Sequence, residues 1–161
     1  MEAYKIKADF EAKEMHDWNS TKLYAEKAIK AANGKDILPE KISYWTIPAN
    51  KRLELIKGYD NLMTVYQDAV LLDPFNLAKA ISSLDCWAEQ QEENWQTWDI
   101  NKCRNDFLSA MHGIFNSLEK EEEISTKQKS NSEVSKLDDS VSMVTKNSEN
   151  IILQIIYFDF D

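Results

Sequence analysis

Glycine and proline are scarce in this chain, with three of each among 161 residues. This scarcity, together with apolar residues that recur at spacings of three and four, favours helices over a turn-rich β fold. Basic residues are also in deficit, 19 against 28 acidic ones, and the formal net charge is −9. Because nucleic-acid binding depends on Lys and Arg that neutralise phosphates, this balance argues against a DNA or RNA partner.

Long apolar runs are absent as well, and so are the common sequence motifs of catalytic, nucleotide-binding and metal-binding sites. No apolar run reaches the roughly 18 residues that a membrane-spanning helix needs, so we predict no transmembrane helix. Residues 1–15 lack the apolar middle and the small-residue cleavage site of a signal peptide. There is no glycine-rich phosphate loop and no CxxC or HxxxH pair, and His16 and His112 are far apart. We therefore predict no cofactor, no metal site and no catalytic residue.

The apolar spacing predicts an all-α domain over residues 1–118, in which about five helices stack as antiparallel, tetratricopeptide-like hairpins. Residues 3–34 form the first predicted hairpin, and Asp17 or Ser20 is predicted to cap its second helix. The connection over residues 35–48 is expected to be ordered by four apolar anchors: Ile42, Tyr44, Trp45 and Ile47.

The clearest periodic pattern covers residues 49–72 and predicts the third helix. Its expected stripe consists of Arg52, Ile56, Tyr59, Met63, Tyr66 and Val70, widened by Leu53 and Leu62. Asp73 and Pro74 predict the start of a fourth helix, since an acidic cap followed by proline suits a helix N-terminus. Its inward-facing side chains are predicted to be Leu77, Ile81, Leu84 and Trp87. Asp99 is predicted to cap a fifth helix.

The composition changes after Leu118. Residues 119–149 are rich in Ser, Lys and Glu with scarcely any aromatic side chain, which is typical of a flexible, disordered linker. Residues 150–161 end in β-branched and aromatic residues that alternate with acidic ones, which predicts one strand of a truncated second domain.

Both cysteines lie in the most unusual stretch of the chain, Asp85–Phe107. If Cys86 lies before the end of the fourth helix and Cys103 one turn into the fifth, an antiparallel hairpin brings them level. A disulfide then requires the two Cα atoms to approach within roughly 7 Å. A disulfide and two buried free thiols are both consistent with this placement.

A polar and aromatic run, EQQEENWQTW, lies between the cysteines. We interpret its glutamates as a solvated helix face and its tryptophans as side chains that pack on the core or close the turn. The alternative is a glycan site, since paired carboxylates can cleave glycosidic bonds and indoles can stack on sugars. If the domain contacts a partner, we expect the contact at this run, which we call the rim: Glu89, Gln90, Glu92, Glu93, Trp95 and Trp98.

Residues 3–118 resemble the helical, tetratricopeptide-like N-terminal region of OmpA-family envelope proteins of alphaproteobacteria. The matching residues are Asp17-Trp18, Lys27-Ala28, Ala31, Gly34, Pro39-Glu40, Pro74, Asp85-Cys86-Trp87, Glu89 to Asn94, Gln96, Ile100 and Cys103-Arg104. The end of the chain, Ile156 to Asp161, looks like the first strand of the OmpA-like peptidoglycan-associating domain. The chain stops before that family's wall-binding Asp and Arg, so we expect no peptidoglycan binding by this sequence itself.

The resemblance implies a periplasmic, outer-membrane-associated protein whose helical part serves as a spacer or binds a protein partner in the envelope. Two other functions remain open at this point. One is a module that binds or processes cell-wall glycans through the Glu and Trp side chains of the rim. The other is a cytosolic tetratricopeptide-like adaptor that holds peptides in a groove.

Overall fold

The computed structural model describes residues 1–134, and this part of the chain is all-helical. Five α-helices span Glu2–Phe10 (α1), Trp18–Ala32 (α2), Ala49–Leu72 (α3), Pro74–Glu93 (α4) and Thr97–Val134 (α5). A π-helical turn, Glu11–Met15, extends α1, and a 3-10 turn covers Ile42–Tyr44. The predicted all-α class with five helices is confirmed. None of the described helices is long and apolar enough to cross a membrane.

Helix α4 is the central element of the compact unit that residues 1–125 form. Helices α1 and α2 make one hairpin, and α3 and α4 make another. Tyr24 of α2 contacts Glu89 of α4, and Lys27, further along α2, contacts Asp85, which comes earlier in α4. These two helices are therefore antiparallel.

Helix α5 is also antiparallel to α4. Cys103, near the start of α5, is bonded to Cys86 near the end of α4, whereas Ser117 donates a hydrogen bond to Asp73 at the other end of α4. The predicted stacking of successive helices in opposite directions is observed for this pair.

The helix ends follow from local hydrogen bonds. The Asp17 carboxylate accepts hydrogen bonds from the backbone N–H groups of Asn19 and Ser20 at 2.8 and 3.3 Å, so Asp17 caps α2. Asp73 caps α4 in the same way, as predicted. The prediction that Asp99 caps α5 is wrong, because the helix begins at Thr97 and Asp99 lies buried in its first turn.

The buried face of α3 differs from the predicted stripe. The buried residues are Leu55, Gly58, Leu62, Val65, Tyr66 and Ala69, whereas Arg52, Leu53, Ile56 and Val70 are exposed. Gly58 explains the difference: a Cβ there would lie 3.1 Å from the Phe107 ring and 3.5 Å from the Trp87 ring. The buried face of α3 thus combines the large apolar side chains Leu55 and Leu62 with Gly58, which lets the Phe107 and Trp87 rings approach the helix.

The inward residues predicted for α4, Leu77, Ile81, Leu84 and Trp87, are all buried. Among the anchors of the connection, Ile42, Trp45 and Ile47 are buried, but Tyr44 is exposed. The Tyr44 ring packs edge-on against the Trp45 ring, with ring centroids 4.9 Å apart. It therefore lies on the solvent side of Trp45.

Helix α5 continues past Leu118 to Val134, so residues 119–134 of the predicted flexible linker are helical. Glu and Lys, which dominate the start of that segment, are good helix formers even when exposed. Residues 135–149 of the predicted linker and the predicted strand over residues 150–161 lie outside the described residues.

Candidate functional site on helix α4

Helix α4 carries buried polar side chains along its last three turns. Asp85 is 1% exposed and Glu89 is 3% exposed, and Gln90 and Gln91 are buried beside them. The interpretation of the glutamates of this run as a solvated face is therefore wrong for Glu89. The cause is the N-terminal hairpin, whose two helices supply the contacts of Asp85 and Glu89.

Asp85 has a complete set of partners. Lys27 Nζ and the Tyr4 hydroxyl both donate to Asp85 Oδ2 at 2.5 Å, and the backbone N–H of Glu40 donates to Oδ1 at 2.7 Å. Lys27 also contacts the Glu40 carboxylate and the Leu38 carbonyl oxygen, each at 3.0 Å. Burial raises the pKa of the Asp85 carboxyl, and the charge of Lys27 acts against that rise. This ion pair joins α1, α2 and the connection to α4.

Glu89, one turn further along α4, has fewer partners. Its Oε2 accepts a hydrogen bond from the Tyr24 hydroxyl at 2.5 Å, but its buried Oε1 has no hydrogen-bond partner among the described residues. Burial raises the pKa of Glu89 to about 7, although hydrogen bonds from Ser20 and Tyr24 lower it. Glu89 is therefore a buried acid without a cationic side chain bonded to it in the described part of the chain.

Glu11 faces Glu89 from the π-helical turn that follows α1. It is 4% exposed, and its Oε2 has no hydrogen-bond partner within the described range. Burial, together with repulsion by Glu89, raises the pKa of Glu11 to about 8. Glu11, Asp17 and Glu89 each place a carboxylate oxygen within 4.8 Å of the other two.

The grouping of Glu11, Asp17 and Glu89 was not predicted from the sequence. A signal was present, since Tyr4, Ala8 and Glu11 are spaced four and three apart, which puts Glu11 on the buried face of the first hairpin. The proximity of Glu89 depends on the packing of α4 against that hairpin, which local spacing does not reveal.

The two cysteines form a disulfide, with Cα atoms 5.7 Å apart. Of the two states that the sequence left open, the structure thus has the bonded one. Arg104, next to Cys103, pairs with Glu54 of α3 at 2.7 Å and lies 5.9 Å from the centre of the Trp87 ring. The start of α5 is therefore held to both α3 and α4.

The structure divides the rim. Glu89 and Gln90 are buried, whereas Glu92 and Glu93 are exposed. Trp95 and Trp98 are 69% and 66% exposed and do not pack on the core, so closing the turn is the one of their two predicted roles that remains. The interior position is occupied by a third indole, Trp87, whose ring lies 6.0 Å from that of Phe107.

The turn between α4 and α5 has its own contacts. Asn94, in a left-handed conformation with φ of 53°, ends α4. Glu92 accepts a hydrogen bond from the backbone N–H of Thr46 at 2.5 Å, and Trp95 Nε1 donates to Glu93 at 3.3 Å. Trp95 thus lies on a turn that is tied to the connection and to the disulfide-bonded helices, and Trp98 lies at the start of α5.

A comparison of the chain with protein-family models, with curated proteins and with solved structures gives no match. The arguments for function therefore come from the residues and their geometry.

Proposed function

We propose that this chain is a non-enzymatic module of a bacterial cell-envelope protein, which binds a protein partner through Trp95 of the α4–α5 turn and Trp98 at the start of α5. The observation that carries the proposal is the exposure of Trp95 and Trp98, at 69% and 66%. Tryptophan is enriched among the residues that dominate protein interfaces, because an indole buries a large apolar area with few rotatable bonds.

The position of these tryptophans supports a role in binding. The Cys86–Cys103 disulfide joins the two helices that flank the turn, and the hydrogen bond between Glu92 and Thr46 ties the turn to the connection. A surface that is fixed before binding loses less conformational entropy when a partner arrives.

Charge indicates the kind of partner. Glu92 and Glu93 are exposed next to the tryptophans, and the chain carries a formal net charge of −9. Complementary charge favours encounter and suppresses wrong partners. We propose a protein with an apolar pocket bordered by Lys or Arg.

The disulfide also bears on location. Structural disulfides persist in oxidising compartments such as the bacterial periplasm and are rare in the cytosol. This chemistry agrees with the resemblance to OmpA-family envelope proteins and disfavours the cytosolic adaptor. We propose a periplasmic, outer-membrane-associated location in which the helical unit acts as an interaction domain and spacer.

Site-specific photo-cross-linking of the full chain in its native cells tests the proposal. A photoreactive amino acid in place of Trp98 is expected to give one discrete cross-linked protein of the envelope. Trp18 provides a matched control, because it also lies in the first turn of a helix and is 69% exposed. Absence of an adduct at position 98, or the same adducts at both positions, would contradict a specific docking surface.

The exposed indoles also favour a second candidate, the binding of cell-wall glycans by stacking. Calorimetric titration of the chain with soluble wall fragments separates the two candidates. Saturable heat that disappears in both Trp95→Ala and Trp98→Ala would assign the rim to a glycan. We expect no such heat.

A further inference from the structure

We propose that Glu11, Asp17 and Glu89 form a binding site for one divalent cation of the hard, oxygen-preferring class, with Ca²⁺ as the best fit. This group, which we call the acidic triad, joins three elements: the π-helical turn, the N-terminus of α2 and the end of α4. The proposal does not depend on the protein-binding role of the rim.

The first argument is the distance between ligand atoms. One carboxylate oxygen of each residue lies within 4.8 Å of the other two. Two oxygens bound to the same Ca²⁺ at about 2.4 Å lie at most about 4.8 Å apart, so these separations are compatible with this ion. Mg²⁺ usually keeps several waters and binds through one or two carboxylates, so a site with three carboxylates favours Ca²⁺. The all-oxygen donor set favours these ions over zinc or copper.

The second argument is the presence of buried oxygens without partners. Glu11 Oε2 and Glu89 Oε1 are both inaccessible to solvent and have no hydrogen-bond partner in the described part of the chain. Glu11 is 4% exposed and Glu89 is 3% exposed, so both residues are more than nine-tenths buried. Buried acidic groups are normally paired, protonated or bound to a metal, because an isolated charge is costly to bury.

The third argument is a comparison of the two buried acids of α4. Asp85 has a cation at 2.5 Å, the ammonium of Lys27, and two further hydrogen-bond donors. Glu89, four residues later on the same face, has no ion pair among the described residues. The Tyr24 hydroxyl donates to it and supplies no charge. A bound cation would complete the Glu89 site as Lys27 completes the Asp85 site.

The charged groups around the triad are few. Lys7 of α1 acts on both glutamates with a favourable charge, and Glu93 of α4 acts on both with an unfavourable one. Asp17 uses Oδ1 to cap α2, which leaves its second oxygen for a metal. When the three acids are ionised, one nearby ammonium opposes them, and the local negative charge that remains would be neutralised by a divalent ion.

Calorimetric titration of the chelator-treated full chain with CaCl2 tests the site. We expect one saturable site in the wild-type protein, and affinity at least about tenfold weaker in Glu11→Gln and Glu89→Gln. Glu14→Gln is the matched control, because Glu14 lies on the same π-helical turn but is exposed. This variant is expected to bind Ca²⁺ like the wild type.

Thermal unfolding gives a second readout that uses the same variants. Ca²⁺ is expected to raise the Tm of the wild type and of Glu14→Gln, but not that of Glu11→Gln. If Glu89→Gln fails to fold, Asp17→Asn replaces it, since asparagine keeps the helix cap while removing the charge. The proposal is refuted if Ca²⁺, Mg²⁺ and Mn²⁺ all fail to bind the folded wild type, or if Glu11→Gln and Glu14→Gln bind Ca²⁺ equally well.

Discussion

Lys27 and Asp85 form the most buried ion pair among the described residues, and they hold the N-terminal half of the unit to α4. The ammonium and carboxylate are 2.5 Å apart, and their side chains are almost completely shielded from solvent. Tyr4 and the backbone N–H of Glu40 donate to the same carboxylate. Such a pair adds little stability compared with apolar side chains of the same size, but the loss of one partner leaves a buried charge uncompensated.

The first prediction concerns this pair. We expect Lys27→Met to lower the free energy of unfolding by about 3–5 kcal/mol, because Asp85 would remain buried without its counter-ion. Urea unfolding followed by circular dichroism measures the change. Lys30→Met is the control, since Lys30 lies on the same helix but is exposed, and we expect a change within about 0.5 kcal/mol. Equal effects of the two substitutions would show that the ion pair does not hold the hairpin.

The second prediction concerns the pH dependence of stability. In the folded state the pKa values of Glu11 and Glu89 are raised to about 8 and about 7 from an ordinary value of 4.5. The folded protein therefore holds more protons than the unfolded chain between these values, so its stability is greatest at the acidic end of this window. We expect the free energy of unfolding to fall on the order of 6 kcal/mol as pH rises from about 5 to about 8 in the presence of a chelator.

Glu11→Gln isolates this effect. Removal of the Glu11 charge is expected to flatten the pH profile, whereas Glu14→Gln, at an exposed position on the same turn, is expected to leave it unchanged. Parallel profiles for the two variants would contradict the assignment of the pH dependence to Glu11.

The sequence predicted the pairing of the two cysteines better than the burial of Glu89. The pairing of Cys86 and Cys103 was anticipated as one of two states because both residues lie at matching positions of an antiparallel helix pair. Burial of Glu89 was missed because its neighbours Ser20 and Tyr24 are about 65 residues away in the chain. A dense acidic run is interpreted as solvated unless such distant partners are known.

At the scale of elements, the packing of α3 is controlled by a glycine. Gly58 lies where Phe107 of α5 and Trp87 of α4 approach the helix, and a Cβ at this position would be 3.1 Å from the Phe107 ring. A glycine inside a helix costs about 1 kcal/mol relative to alanine. The close approach of the two aromatic rings offsets that cost.

The third prediction tests this contact. We expect Gly58→Val to lower the free energy of unfolding by about 1–3 kcal/mol, because its extra methyl groups would displace the aromatic rings. Asn61→Val on the exposed face of α3 controls for the valine itself, and we expect a change within about 0.5 kcal/mol. Urea midpoints that decrease equally in both variants would refute the packing role of Gly58.

The bounds of α3 were predictable, but its buried face was predicted only in part, at Leu62 and Tyr66. Proline and capping residues define where the helix begins and ends, and the predicted range of residues 49–72 is the observed one. The choice of face was based on apolar side chains and therefore favoured Leu53, Ile56 and Val70, which are exposed. Gly58 and Ala69 contribute little to such a pattern, although they permit the closest packing.

At the scale of the whole molecule, α4 joins two parts of the compact unit. One side receives the N-terminal hairpin through Asp85 and Glu89, and the other receives α3 and α5 through Trp87 and the disulfide. The tryptophans of the rim follow directly after α4. The disulfide is therefore expected to stabilise the fold and the proposed binding surface together.

The fourth prediction concerns this covalent link. Cys86→Ala/Cys103→Ala is expected to lose about 3 kcal/mol of stability, since the bond closes a loop with a sequence separation of 17. Urea unfolding with and without a reductant measures the loss. Reductant is expected to destabilise the wild type and to leave the double variant unchanged. A wild type that is insensitive to reductant would show that the disulfide does not stabilise the unit.

The proposal of a disulfide-braced module in an oxidising envelope compartment is tested most directly by mass spectrometry of non-reduced peptides. The protein is isolated from its native cells, with free thiols blocked at the moment of lysis. We predict a single linked pair of peptides that contain Cys86 and Cys103. Recovery of both cysteines as blocked free thiols would contradict the brace and, with it, the proposed location.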